Sequence, residues 1–95
     1  MFYKLKHRKP VKCSGLEFAF AFENFRKRRI RLTKFNDGRV LSTVFLCLDH
    51  GIDENKPVLF ETAVLNKLGE WEILDRACTH RQALKMHRVW KAELK

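Results

Sequence analysis

Val40 to Leu48 is apolar on both sides of an extended chain, with Val44, Leu46 and Leu48 facing one way and Leu41, Phe45 and Cys47 the other. A strand of that kind has to be covered on both faces, which places it in the middle of a sheet under a second layer. The residues downstream supply what it needs. Pro57 to Leu65 reads as a neighbouring strand, with β-branched Val58, Thr62 and Val64. Trp71 to Arg76 reads as a third, with Trp71 and Ile73 on one face. The polar stretch His50 to Lys56, which contains Gly51, is a loop, and Asn66 to Gly69 is a short hairpin loop. The period then changes. Thr79 and Gln82 have capping-box spacing, and Ala83, Met86, His87, Trp90 and Leu94 follow at helical spacing. Lys85, Arg88, Lys91 and Lys95 lie toward the end of this helix, where the helix dipole favours cations. The helix lays its apolar stripe on one face of the sheet. Trp71 and Trp90 are both in register with core faces, so packing between sheet and helix is the role expected of them.

Upstream of the meander the pattern is less regular. Residues 1–14 are a basic arm carrying Lys4, Lys6, His7, Arg8 and Lys9, closed by Pro10 and followed by a Ser14-Gly15 turn. Leu16 to Phe22 alternates, with Leu16, Phe18, Phe20 and Phe22 sharing a face, which predicts a strand. The rival reading is a helix, because Phe18, Phe22 and Phe25 stand at i, i+4, i+7. Arg26-Lys27-Arg28-Arg29 interrupts the apolar pattern. Arg29 to Lys34 then alternates, with Ile30 and Leu32 inward and Arg29, Arg31 and Thr33 outward, up to a turn at Asn36-Asp37-Gly38. The expected fold is a single α+β domain, residues 1–95. It has an antiparallel sheet of about five strands packed against one C-terminal helix. Residues 15–38 form a basic, Phe-rich strand pair, 39–77 a three-stranded meander, and 79–94 the helix.

Charge is distributed as unevenly as pattern. Through Arg39 there are twelve Lys or Arg against three acids, and from Val40 onward eight of each, so the whole net charge of +9 belongs to the first part of the chain. Such asymmetry points to an anionic partner. No apolar run approaches the roughly 20 residues of a membrane span. Glu17 interrupts any signal-peptide stretch after the basic start. Three cysteines, Cys13, Cys47 and Cys78, fit reduced thiols better than a disulfide framework. A cytoplasmic protein without a membrane partner is expected.

The segment Arg39 to His50, with its Ser42-Thr43-Val44-Phe45-Leu46-Cys47-Leu48-Asp49-His50 run, is followed by Pro57-Val58-Leu59-Phe60-Glu61-Thr62. This pair of strands resembles that of a group of small uncharacterised proteins encoded by tailed bacteriophages. In that group a third strand also runs into a helix after a Thr, as at Arg76-Ala77-Cys78-Thr79-His80 here. The resemblance covers roughly Arg39 to Lys91. It implies a phage setting, hence the cytoplasm of a host cell, and carries no activity. The basic, Phe-rich N-terminal segment departs from the family, and Cys47 stands where the family commonly has a small residue, Gly.

Three constellations bear on chemistry. Asp49, His50 and Glu61 could do acid–base work, but no nucleophile, phosphate loop or paired-carboxylate motif accompanies them, and turn capping and ion pairing with Arg39 or Arg76 account for them better. Cys47, His50, Cys78, His80 and His87 raise the question of zinc. On a strand, however, residues three apart face opposite ways, so Cys47 and His50 do not chelate together. The third is the basic surface: Lys4, Lys6, Arg8, Lys9, Arg26, Lys27, Arg28, Arg29 and Arg31 could track a phosphate backbone. Glu17-Phe18-Ala19-Phe20-Ala21-Phe22 looks faintly like the aromatic strand of an RNA-recognition motif. It lacks that motif's leading Lys/Arg-Gly and its last aromatic, so these Phe are expected in the core.

The expectation is a small, non-enzymatic accessory protein, without catalytic residues, metal or cofactor, that binds DNA or RNA through the nine cations above, as a monomer or homodimer. The alternative is a protein-binding inhibitor or modulator of a host enzyme or defence complex, its basic face on an acidic host protein. The third is an enzyme using Asp49, His50 and Glu61.

Overall fold

A four-stranded antiparallel sheet in the order β3-β4-β5-β6 is built from Arg29–Lys34, Val40–Phe45, Phe60–Leu65 and Trp71–Ala77. One long helix, His80–Leu94, crosses one face of it. Ahead of the sheet come a two-stranded hairpin, β1 (Tyr3–Lys6) and β2 (Lys9–Lys12), and two short helices, α1 (Gly15–Glu23) and α2 (Phe25–Arg28); the long helix is α3. The computed structural model describes residues 2–49 and 56–95. The sequence loop from His50, and with it the His50 candidate, lies outside the described residues. The class is α+β, with an antiparallel meander and a C-terminal helix as expected.

The doubly apolar strand takes the predicted central place. β4 pairs with β3 on one side and β5 on the other, and Leu41, Thr43, Phe45, Phe60 and Thr62 are all essentially inaccessible to solvent. The two hairpin connections obey one rule. Each is a three-residue loop whose last member is Gly in the left-handed region, Gly38 at φ 94° and Gly69 at φ 81°. A three-residue hairpin needs a residue there that tolerates positive φ. α3 starts as its capping box directs: the Thr79 hydroxyl accepts from the Gln82 N–H and the Gln82 amide oxygen accepts from the Thr79 N–H. Its Ala83, Met86 and His87 are buried against the sheet.

Five expectations are corrected. On β3, Arg31 and Thr33 face α3 while Leu32 is exposed on the other face, with a register shift between Arg29 and Arg31. Leu16 to Phe22 is not a strand; α1 covers it, and Ser14 caps that helix with a full capping box to Glu17. The local cap and the i, i+4 contact of Phe18 with Phe22, ring centroids 5.5 Å apart, outweigh the alternation. Residues 2–14, expected as an arm, are held to the sheet. Tyr3 is buried, its N–H donates to the Cys47 carbonyl at 2.8 Å, and Phe2 bridges to Leu48, so the hairpin is fastened to the end of β4. β4 stops at Phe45 because Cys47 turns the chain at φ 65°. Finally, Trp71 and Ile73 do not face the core: they are 56 % and 59 % exposed. A register shift between Thr62 and Ala63 breaks the parity of β6, so Asp75 and Ala77 face α3 while Trp71 and Ile73 face away. Trp90 does pack against the core, and its indole N–H donates to Asp75 at 3.2 Å.

The core runs from the hairpin into the sandwich. Tyr3, Phe45, Cys47, Leu59, Phe60, Ala77, Ala83 and Met86 form one buried cluster, with Phe18, Ala21, Ile30 and Trp90 packed against it.

Candidate nucleic-acid interface

The nine cations singled out in the sequence do not form one surface. Lys6, Arg8 and Lys9 are exposed at the tip of the β1–β2 hairpin, where His7 and Arg8 occupy the two-residue turn. Lys4 is engaged by Glu17 in an ion pair, which holds the Glu17 carboxyl below the ordinary carboxylate range. Arg26 and Lys27 are exposed on α2. Arg28, the next residue, points inward: its Nε donates to the Phe45 carbonyl at 3.0 Å, its Nη1 to the Phe22 carbonyl at 3.1 Å, and it lies 4.3 Å above the Phe22 ring. A guanidinium spent on two backbone carbonyls in a buried setting is a brace between α1, α2 and β4 rather than a contact for a partner. Arg29 and Arg31 are exposed on β3.

Arg31 is the one that folding supplies with company. It faces α3 across the edge of the sheet, and a groove of about 330 Å³ between β3 and α3 is lined by Arg31, Thr33, Leu84, His87, Arg88 and Lys91, among others. A second groove of about 500 Å³ continues from it past the β3–β4 turn. It shares Thr33 and Lys91 and adds Lys34, Arg39 and Lys95. The acid of this second groove, Asp37, is engaged by Arg39 at 2.8 Å and lies 3.9 Å from Lys67. Arg39 also donates to the Leu94 carbonyl, tying the turn to the end of α3. At the start of α3, burial, then the charges of Arg8 and Arg31, hold His80 below the ordinary imidazole range.

His87 is the floor of the first groove. It is 4 % exposed, with Nδ1 2.8 Å from the Thr43 hydroxyl and Nε2 2.9 Å from the Thr33 hydroxyl, and Thr43 bonds on to Thr62. Burial first, and then the charges of Arg31 and Lys91, push its pKa down, so the ring is neutral around pH 7. A neutral imidazole donates from one nitrogen and accepts at the other. Thr62 is fully buried, so the row Thr62–Thr43–His87–Thr33 runs from the core to the Thr33 hydroxyl at the groove.

Described members of the other constellations have partners within the fold. The Asp49 carboxylate accepts from the Val58 N–H at 2.8 Å, and Glu61 pairs with Arg76 at 3.2 Å across neighbouring strands. Cys47 is buried, which pushes its thiol pKa up, and His80 lies edge-on to the Phe60 ring. Among the described residues, no three His, Cys, Asp or Glu side chains come together as metal ligands would. Nor is any described helix long and apolar enough to cross a membrane.

Reading the sequence by halves missed Arg88 and Lys91, because they belong to the electrically balanced part of the chain and have a sufficient local reason in the helix dipole. The available signal was their spacing, i and i+3, flanking the apolar stripe that faces the sheet. In comparison with known proteins, no family model matches this chain, and neither a curated protein nor a solved structure does.

Proposed function

We propose that this protein is a non-enzymatic nucleic-acid-binding module whose contacts are made mainly to phosphates. The observation that carries the reading is the convergence of Arg31 with Arg88 and Lys91 on one groove. Phosphate contacts fix position without reading bases, so binding is expected to show little sequence preference and to fall steeply with salt. The surface differs from the nine-residue set in two ways: Arg28 and Lys4 are engaged internally, and Arg88, Lys91 and Lys95 join it. A titration of the nuclease-treated protein with short single- and double-stranded DNA and RNA, at low and physiological salt, tests this. Binding that survives physiological salt, and loses about one unit of salt slope per cation removed among Arg31, Arg88 and Lys91, is the expected result. Association that vanishes at physiological salt and ignores these substitutions rules the reading out.

A protein-binding role, as an inhibitor or modulator, is the second reading, and a different surface favours it. The sheet face away from α3 carries exposed Leu32, Trp71 and Ile73 with no covering layer among the described residues. It requires a stoichiometric protein complex that nucleic acid does not compete away and that Trp71→Ser abolishes.

A further inference from the structure

We propose that the groove between β3 and α3 is a site for a phosphate monoester, and that its natural occupant is the terminal phosphate of a nucleic-acid strand. The source of the phosphate rests on the nucleic-acid reading above; the chemistry of the site rests on the groove alone.

Three observations carry it. The first is charge. Arg31, Arg88 and Lys91 line the groove with no carboxylate beside them, and none of the three takes part in an ion pair among the described residues. The helix dipole accounts for Lys91, which lies in the last turn of α3. It does not account for Arg31, which comes from the facing strand. Three like charges brought together across a groove repel one another, and a bound anion relieves that repulsion.

The second is a hydroxyl held in place at the groove. Thr33 lines it, and its hydroxyl is fixed by the buried His87 Nε2 at 2.9 Å, itself anchored through Nδ1 to Thr43. A hydroxyl can donate to a phosphate oxygen.

The third is stoichiometry of size and charge. The groove, about 330 Å³, is at the lower end of small-ligand sites, which run from roughly 300 to 1,000 Å³. That is room for a phosphate and part of its sugar. An internal phosphodiester carries one negative charge, whereas a monoester carries about 1.5 to 2 near pH 7. Three cations and a donor hydroxyl match the monoester better.

The experiment compares one short single-stranded oligonucleotide in three forms, 5′-phosphorylated, 3′-phosphorylated and with both ends hydroxyl, on the full chain. Inorganic phosphate serves as a separate probe in thermal unfolding. The expected result is about tenfold tighter binding of one phosphorylated form over the hydroxyl form. Arg88→Gln erases this preference, as does Thr33→Val, while Thr33→Ser keeps it. Arg88 is exposed, so its substitution leaves the fold intact. Equal, tight binding of all three forms overturns the monoester site and leaves the nucleic-acid reading standing. No oligonucleotide binding, with inorganic phosphate raising the unfolding temperature of the wild type but not of Arg88→Gln, supports the site and overturns the nucleic-acid source. Absence of both responses overturns both.

Discussion

His87 on α3 and Thr33 on β3, 54 positions apart, are joined by a hydrogen bond of 2.9 Å, and it ties the edge strand to the helix that covers the sheet. Because the other ring nitrogen bonds to Thr43, the imidazole holds β3 and β4 in fixed relation to α3 and sets the width of the cationic groove.

Stability should therefore fall as the solution is acidified. In the unfolded chain His87 titrates near its ordinary value of 6.5, while in the folded protein burial, then Arg31 and Lys91, keep it neutral to lower pH. Between the two values the unfolded state holds the extra proton, so stability is full above 6.5 and declines as pH drops toward the folded value. The charges that act on the ring, Arg31 from β3 and Lys91 from α3, both act in this direction, and Arg88 lines the same groove. His80 contributes with the same sign. Urea midpoints measured across this range should drop for the wild type and drop less for His87→Gln. A wild-type midpoint indifferent to pH would contradict the neutral, buried imidazole.

The β1–β2 turn is strained at two residues. His7 and Arg8 sit at φ 51° and 71°, the region where an L-residue costs about 1–2 kcal/mol. Replacing the pair by Asn-Gly, which that turn geometry favours, should stabilise the protein by about 1 kcal/mol. Denaturant unfolding reads this directly, and a loss of stability would mean that the hairpin tip has contacts beyond its own turn.

Cys47 combines the same backbone region with complete burial. Cys47→Gly removes the strain and also the buried thiol, so the two effects offset and the change should stay within about 1 kcal/mol. Cys47→Val keeps the volume but puts a β-branched residue at positive φ, and should cost more than about 2 kcal/mol. The order Gly above Val in thermal unfolding is the outcome to check.

Arg28 and its neighbours should separate cleanly. Arg28→Ala removes two charge-assisted bonds to buried carbonyls and should cost at least about 2 kcal/mol. Arg26→Ala and Lys27→Ala, both exposed, should change stability by less than about 0.5 kcal/mol. If Arg28→Ala unfolds as the wild type does, the brace assigned to it is wrong.

Much of the fold was legible where a local rule and the packing requirement agree. Val40 to Phe45 had to be central because no one-sided layer can cover it. The Gly38 and Gly69 turns and the Thr79 cap carry their own chemistry. Helix α1 was legible too, but in a less conspicuous signal. Ser14 and Glu17 have the same capping spacing as Thr79 and Gln82, and alternating Phe residues obscured it. At Leu16 to Phe22 both periods fit, and the docking of Phe18 on Phe2, ring centroids 4.4 Å apart, and on the core adds to the cap in favour of the helix.

What the chain's sequence determined by itself is therefore the set of elements whose burial or turn geometry is a property of neighbouring residues: the meander, its loops, the capped terminal helix and the excess of positive charge. What only the tertiary structure decided is which charges stand together. The β6 register shift turned Trp71 outward, a buried brace removed Arg28 from the surface, and α3 crossing the sheet edge brought Arg88 and Lys91 to Arg31. Coulomb interactions depend on distance in space, and a linear count of charges carries no information about distances between residues more than fifty positions apart.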